Sequence, residues 1–133
     1  MKLIIHTDGG ARGNPGPAAI GVVIEDGKEI AGFGKRIGET TNNVAEYTAV
    51  IEALTWIKKY IHSTVDEIQF LSDSTLVVNQ LNGLFKVKEA HLRELLIRVR
   101  LLEEEVGGDI RYTYIPREQN QRADFFVNKA FDE

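Results

Sequence analysis

Cysteine is absent from the chain, and proline and histidine occur only three times each. Without cysteine the chain can form no disulfide scaffold, no thiolate zinc site and no cysteine nucleophile. The histidines, His6, His62 and His91, are scattered along the sequence, which argues against a histidine-based metal centre. Any active site would therefore rely on carboxylates, amides, hydroxyls and basic side chains.

Long apolar runs are also missing. No segment approaches the roughly 18 apolar residues that span a bilayer, and the apolar start of the chain is too short for a signal peptide. Acidic residues outnumber basic ones by 20 to 16, and the net charge of -4 argues against a broad basic surface that wraps nucleic acid. We therefore expect a cytoplasmic protein with no membrane partner, whose nucleic-acid contacts would be local or assisted by cations.

The length of 133 residues predicts a single domain, residues 1–133, with one core. Short β-prone segments fill its first third. Lys2–Thr7 is typical of a buried central strand, and Ile20–Glu25 and Glu29–Arg36 are typical of a hairpin closed at Asp26-Gly27. The glycines and prolines of residues 11–19 predict a long connection between the first two strands.

Helical periodicity begins at Asn43 and then alternates with two further strands. The predicted helices cover residues 43–61, 74–81, 89–106 and 119–131, and the predicted strands cover 67–71 and 110–115. This order predicts an α/β fold with a mixed five-stranded sheet, an antiparallel meander of strands 1–3 plus parallel strands 4 and 5. Helices are expected on both faces of that sheet.

Four acids stand at positions where this fold would place a ligand. Asp8 ends the first strand, Asp73 follows the fourth, and Glu46 and Asp124 lie near the starts of the first and last long helices. Ligands of open α/β sheets bind outside the carboxyl ends of the strands. Carboxylates gathered there would repel one another unless hard cations lay between them. Oxygen-only ligands suit Mg²⁺ or Mn²⁺, and two such ions can assist an in-line phosphoryl displacement.

Each acid also has a purely structural interpretation. Asp8 could open a turn, and Asp73 or Ser72 could cap the helix that follows it. The segment from Asn43 to Glu46 has the spacing of a capping box, and Asp124 could complement a helix dipole. Four unrelated caps on four segments are harder to accept than one shared site.

Four motifs, taken in order, resemble type 1 ribonuclease H over essentially the whole chain. They are Thr7-Asp8-Gly9-Gly10 with Asn14-Pro15-Gly16-Pro17, Thr41-Asn42-Asn43-Val44-Ala45-Glu46, Ser72-Asp73-Ser74, and Pro116-Arg117-Glu118-Gln119-Asn120 to Ala123-Asp124. The resemblance implies a ribonuclease H-like fold in which Asp8, Glu46, Asp73 and Asp124 are the catalytic, metal-binding carboxylates. It further implies endonucleolytic hydrolysis of the RNA strand of an RNA/DNA hybrid, with 5′-phosphate and 3′-hydroxyl products.

The same resemblance implies the substrate contacts and cofactors. Amides both donate and accept hydrogen bonds, so Asn14, Asn42 and Asn43, at family positions that contact nucleic acid, suit recognition of the RNA 2′-hydroxyl. We expect Mg²⁺ or Mn²⁺, two ions with substrate bound, no organic cofactor, and a monomer. The expected substrate contacts are Gly9, Arg12, Asn14, Asn42, Asn43, Ser74, Lys86, Lys88 and Arg117.

The sequence departs from the family pattern in three places. Residues 116–123 contain no histidine, where many members have a mobile one, and Leu84–Lys88 joins two helices without a basic protrusion. Phe125 stands at a normally polar position, where a neighbour could cover it or it could be an exposed contact. A catalytically weak or inactive module that binds hybrid or protein is the alternative function, and another nuclease or strand-transfer enzyme is a third. The presence of all four acids favours the ribonuclease.

Overall fold

The computed structural model describes residues 1–133 as five strands and four α-helices in the predicted order. A 3-10 turn, Arg117–Gln119, precedes the last helix. None of the helices combines the length and apolar character that a bilayer span requires. The elements are β1 (Lys2–Ala11), β2 (Gly16–Glu25), β3 (Glu29–Thr40), α1 (Asn42–Tyr60), β4 (Glu67–Ser72), α2 (Thr75–Leu81), α3 (Ala90–Val106), β5 (Asp109–Tyr114) and α4 (Gln121–Asp132).

The sheet has the strand order β3-β2-β1-β4-β5, which confirms the predicted mixed topology. β1, β2 and β3 pair antiparallel, whereas β4 runs parallel to both β1 and β5. Thr7 of β1 pairs with Ser72 of β4. The residues that follow them, Asp8 and Asp73, therefore lie beside each other at one end of the sheet.

Helices cover both faces of the sheet, as predicted. The larger core lies under α1 and α3, where residues such as Ile5, Ile20 and Leu54 are completely buried. On the opposite face α4 packs Val127 and Ala130 against Ala19. Alternating side chains of β2 thus serve two cores, as the period of two in a strand requires.

α4 lies unusually close to the sheet because glycines face it. A Cβ built on Gly21 would come within 2.1 Å of the Ala123 carbonyl oxygen, and one on Gly34 within 2.1 Å of the Phe126 carbonyl oxygen. No side chain fits into such a gap. This close approach brings the first turn of α4, with Asp124, toward the end of β1.

Three predicted strand boundaries were wrong, because β1 ends at Ala11, β2 begins at Gly16 and β3 ends at Thr40, which makes all three strands longer than expected. Gly10 and Ala11 still pair with β2, and β3 continues to Thr40, so the expected connection over 11–19 shrinks to a turn at residues 12–15. The backbone N–H of Arg12 donates to the Pro17 carbonyl oxygen at 2.8 Å across this turn. Glycine-rich ends have low strand propensity, but pairing with a neighbouring strand overrides propensity.

Candidate active site

Three carboxylates meet at the carboxyl ends of β1 and β4. Ligand oxygens of Asp8, Glu46 and Asp73 all lie within 4.8 Å of one another. Asp8 and Glu46 are buried, with 8% and 7% of their surface exposed, and Asp73 is half-buried. Buried carboxylates without cationic partners are costly in free energy. The sheet therefore places acids where only a positive ligand or a proton relieves their repulsion.

Glu46 faces the sheet and is not part of a capping box. Its Oε1 accepts a hydrogen bond from the Gly9 backbone N–H at 3.1 Å, and its Oε2 accepts one from the Ser72 hydroxyl at 3.5 Å. The N-cap of α1 is Thr41, whose Oγ1 accepts from the Val44 N–H at 3.3 Å. The capping-box interpretation was wrong because the helix starts two residues earlier than that box requires.

Gly9 permits the contact between β1 and α1. A Cβ at residue 9 would lie 2.5 Å from both the carbonyl carbon and the oxygen of Ala45, and 2.7 Å from the Glu46 nitrogen. At Gly10 the nearest atom to such a Cβ, Asn42 Oδ1, is 3.9 Å away. The first glycine is therefore required for Asp8 and Glu46 to be neighbours, whereas the second is not.

Burial and mutual repulsion make these carboxyl groups bind protons more tightly than free carboxyl groups do. Burial, followed by the charges of Asp73 and Asp124, raises the pKa of Asp8 from 3.8 to about 7. Burial, followed by Asp8 and Asp73, raises the pKa of Glu46 well above its ordinary value. Burial also raises the pKa of Asp73, although hydrogen bonding from Asn120 and the charge of Arg117 oppose the increase. A cation between these groups would displace the protons.

Asp124 enters the same cavity from α4. Its Oδ2 and its backbone carbonyl oxygen each accept a hydrogen bond from Asn128 Nδ2 at 3.2 Å. Asp124 lines the cavity with the other three acids but does not belong to the compact group that they form. The structure thus brings together all four predicted carboxylates around one cavity, with Asp124 outside the compact group of three.

Asp73 is free to face the cavity because another residue caps α2. The N-cap is Ser74, whose Oγ accepts from the Val77 N–H at 3.3 Å. The interpretation of Asp73 or Ser72 as the cap was therefore wrong. The Ser72 hydroxyl instead accepts from the Ser74 N–H at 3.1 Å, and it donates to Glu46.

The predicted substrate contacts divide into residues that line the cavity and residues that do not. The cavity has a volume of about 510 Å³. Lys86 and Lys88 lie in the exposed segment between α2 and α3 and are not part of its wall. The predicted contacts in the wall are Gly9, Arg12, Asn42, Asn43, Ser74 and Arg117.

Asn14 does not line the cavity, but it acts on a residue that does. Its Oδ1 accepts from the Asn42 backbone N–H at 3.0 Å, and Asn42 Oδ1 in turn accepts from the Ala11 N–H at 2.8 Å. These two bonds join the turn after β1 to the start of α1. The structure thereby gives Asn14 a positioning role, and its predicted contact with nucleic acid stays a prediction.

Three polar residues of this region were not singled out from the sequence. Tyr114 lines the cavity at the end of β5, a position that the rule on strand ends could have found. Asn128 follows Asp124 by four residues, the spacing that places two side chains on one helix face. Asn120 is completely buried and donates to the Thr7 carbonyl oxygen at 2.9 Å, a contact between distant segments that no local pattern predicts.

Phe125 is exposed rather than covered by a neighbouring side chain, which is the second of the two arrangements considered from the sequence. Its side chain is 49% exposed and meets the Phe126 ring edge-on at 5.2 Å between centroids. The Arg122 guanidinium lies 5.2 Å from the Phe125 ring centroid and hydrogen-bonds both carboxylate oxygens of Glu29. Phe125 is not part of the wall of the cavity that the four acids line.

Comparison with known proteins agrees with this geometry. The family model described as reverse transcriptase-like matches residues 6–130. The chain is 48% identical to LC11-RNase H1, a compost protein solved in complex with an RNA/DNA hybrid, with a TM-score of 0.92 and coverage of 98% of this chain and 96% of that one. Ribonuclease H1 of Halobacterium salinarum is 39% identical, with a TM-score of 0.91 and coverage of 99% and 98%.

Two curated relatives are longer than this chain. Ribonuclease HI of Halobacterium salinarum is 41% identical over 136 residues, which are 99% of this chain and 65% of that protein. The bifunctional protein Rv2228c of Mycobacterium tuberculosis is 39% identical over 135 residues, which are 99% of this chain and 36% of that protein. The chain therefore spans between one third and two thirds of the length of these relatives.

Proposed function

The chain belongs to the type 1 ribonuclease H family, and from this premise we propose that it hydrolyses the RNA strand of RNA/DNA hybrids. The observation that carries the proposal is the carboxylate cluster of Asp8, Glu46 and Asp73 at one end of the sheet, with Asp124 facing it. A binding module would not need to bury such a group. The intact set of acids therefore favours an enzyme over an inactive module.

The donor set fits divalent cations. Only oxygen ligands face the cavity from these four acids, and burial and neighbouring carboxylates raise the pKa values of Asp8, Glu46 and Asp73. We propose Mg²⁺ or Mn²⁺ as the cofactor, two ions when substrate is bound. Such ions, held by Asp8, Glu46, Asp73 and Asp124, supply activation of water and neutralisation of charge on the reacting phosphate.

The reaction is phosphodiester hydrolysis. The oxygen of water forms a bond to phosphorus and the bond from phosphorus to the 3′ oxygen breaks, which leaves a 5′-phosphate and a 3′-hydroxyl. The protein's residues hold the RNA strand for this displacement. The amides of Asn42 and Asn43 in the cavity wall suit recognition of a 2′-hydroxyl, and Arg12 and Arg117 suit backbone phosphates. All of these groups come from one chain, so we propose a monomer as the active unit.

A cleavage assay tests the proposed substrate. Labelled RNA/DNA hybrid, RNA duplex and DNA duplex are each incubated with Mg²⁺, with Mn²⁺ or with chelator. We expect cuts only in the RNA strand of the hybrid, only with metal, and with 5′-phosphate ends. Equal cleavage of the DNA duplex would indicate another nuclease, and binding of hybrid without cleavage would indicate the inactive module.

We expect Mg²⁺ or Mn²⁺ to raise the melting temperature, because only the folded chain assembles the four carboxylates. A ligand at ten times its dissociation constant adds about 1.4 kcal/mol to the free energy of unfolding. For a chain of this size that corresponds to about 4 °C. Differential scanning calorimetry against metal concentration measures the shift.

The controls for this shift are two variants that each remove one negative charge, one inside the carboxylate cluster and one outside it. Asp8→Asn should show at most a small shift at the same metal concentrations, whereas Asp26→Asn, in the exposed turn between β2 and β3, should respond as the wild type does. An unchanged melting temperature in the wild type at saturating metal would remove the cation site from the proposal.

We expect Lys86→Ala with Lys88→Ala to weaken hybrid binding, although neither side chain lines the cavity. Each phosphate contact contributes close to one unit to the slope of log affinity against log salt, so the double variant should flatten the slope by up to about two units. The rate at saturating substrate should change little. Fluorescence anisotropy over a salt series gives the slopes.

A double variant with the same charge change serves as the control. Lys28 and Lys59 are exposed and have no carboxylate partner, and neither lines the cavity. Their replacement by Ala should leave the slope unchanged. If the two double variants behave alike, the connection between α2 and α3 does not contact the backbone.

A further inference from the structure

A second cavity, of about 470 Å³, adjoins the catalytic cavity near the C-terminal end of α4 and the neighbouring ends of β2 and β3. It shares Arg12 and Phe131 with the catalytic cavity, and the second arginine in its wall is Arg36 of β3. The catalytic cavity contains four carboxylates and two arginines, a net charge of -2. The neighbouring cavity contains Arg12, Arg36 and Glu39, a net charge of +1.

Arg36 keeps an uncompensated charge. Its Nε donates to the Ala130 carbonyl oxygen at 2.9 Å, and its Nη2 donates to the Phe131 carbonyl oxygen. Both acceptors are neutral carbonyls at the C-terminal end of α4, so no carboxylate neutralises the guanidinium. Nη1 takes no part in these bonds and can donate to an incoming anion.

Arg12 is available as well. Its guanidinium stacks on the Phe131 ring at 4.1 Å from the centroid, and its nearest acid, Asp132 Oδ1, is 3.9 Å away, beyond hydrogen-bonding distance. Stacking fixes the plane of a guanidinium without using its N–H groups. Both arginines are thus held in place by α4 while their donors remain open.

The register of the sheet gives the distance to the active site. Gly10, in the wall of the catalytic cavity, pairs with Ala19, and Ala19 pairs with Arg36. Two strand spacings of about 4.8 Å separate Gly10 from Arg36 by about 10 Å. A nucleic-acid strand rises about 3.4 Å per nucleotide along the duplex axis, so a span of about 10 Å covers no more than a few nucleotides.

We propose that Arg12 and Arg36 form a backbone-phosphate subsite for the strand being cut, a few nucleotides from the carboxylates. The subsite rests on the proposed function, because the strand that enters it is the one held in the catalytic cavity. Beyond Arg12, which both cavities share, it adds the positive charge of Arg36. The free Nη1 of Arg36 and the stacked guanidinium of Arg12 can each donate to a phosphate oxygen.

The test is the salt dependence of hybrid affinity, measured with Asp8→Asn in every protein so that cleavage is slow. Arg36→Gln should weaken binding roughly three- to tenfold and lower the salt slope by about one unit. Arg12→Gln with Arg36→Gln should lower the slope by about two units. Glu39→Gln, which removes the negative charge of the subsite, should strengthen binding.

Lys28→Gln is the matched control. Lys28 lies at the opposite end of the same hairpin, is exposed, and undergoes the same change of charge. Its slope should equal that of the parent protein. If Lys28→Gln lowers the slope as much as Arg36→Gln does, the effect is one of net charge and the subsite is refuted.

Arg36→Lys separates binding from the support that Arg36 gives to α4. Both Arg36→Lys and Arg36→Gln lose hydrogen bonds to the carbonyls of α4 and should melt at a lower temperature. Only Arg36→Lys retains the charge, so only it should retain the slope. Equal slopes for the two variants would overturn the subsite and leave Arg36 with a structural role alone.

The outcomes also distinguish the two proposals. A wild-type protein that neither binds nor cuts hybrid refutes the proposed function, and the subsite with it. A parent that binds hybrid, together with an unchanged slope in Arg36→Gln, refutes the subsite and leaves the proposed function standing.

Discussion

Asp8→Asn is expected to reduce hybrid cleavage by at least about 1000-fold while the fold remains intact. Asp8 is the central member of the cluster, because its carboxylate interacts with those of Glu46, Asp73 and Asp124. The amide has nearly the same shape but carries no charge for a cation. Single-turnover cleavage of labelled hybrid with Mg²⁺ measures the loss, and Asp26→Asn should cut at the wild-type rate.

The same variant should be more stable than the wild type without metal. The pKa of Asp8 in the folded protein, about 7, lies above its ordinary value of 3.8, so the folded state binds the proton more tightly than the unfolded state. Stability of the wild type therefore falls as the pH rises from about 4 to about 7. In Asp8→Asn the decrease of stability with pH should be smaller, and at pH 8 its free energy of unfolding should exceed that of the wild type by about 1–2 kcal/mol.

Thermal melts in chelator at several pH values check the stability effect. Glu46 and Asp73 also have raised pKa values, so a smaller decline with pH should persist in the variant. Near-wild-type cleavage by Asp8→Asn would remove Asp8 from the catalytic set. A melting temperature below that of the wild type at pH 8 would contradict the proposed repulsion within the cluster.

Gly9→Ala should damage both the fold and the site. The added methyl group would lie 2.5 Å from the Ala45 carbonyl, which is backbone and cannot rotate away. Relief requires β1 and α1 to separate, which breaks the bond between the Gly9 N–H and Glu46 Oε1. We expect a loss of about 2–4 kcal/mol in the free energy of unfolding and at least a 100-fold loss of cleavage.

Gly10→Ala is its control, one residue along the same strand. A methyl group there meets only Asn42 Oδ1 at 3.9 Å, an ordinary contact distance. We expect stability within about 0.5 kcal/mol of the wild type and cleavage within a few-fold. Urea unfolding and the hybrid assay measure both variants. If the two alanines had equal effects, the close approach of β1 to α1 would not explain Gly9.

The identity of the four acids was accessible from the sequence because their positions follow from local patterns. The apolar runs of two predicted strands ended at Asp8 and just before Asp73, and periodicity placed Glu46 and Asp124 early in helices. The rule that ligands gather at the carboxyl ends of strands then predicted one site. The order of the elements and the sheet topology followed from the same patterns, because apolar residues repeat with different periods in strands and in helices.

The tertiary structure decided how those acids are held. Whether Glu46 caps its own helix or faces β1 depends on where α1 begins, and Thr41 begins it early because Asn14 and Asn42 connect this point to the first turn. Asn120 reaches the Thr7 carbonyl across 113 positions of the chain. Such contacts have no local signature, because they depend on how far apart elements pack.

The sequence by itself thus determined the fold, the acids and the family. Only the tertiary structure decided that Asp124 stands apart from the compact group of three carboxylates and that Arg36 lies beside the active site. Local sequence patterns show which face of a helix or strand is apolar, and this was enough to predict the order and pairing of the strands. Distances between side chains on different elements depend on close approaches such as those at Gly9 and Gly21, where a single methyl group would move a helix.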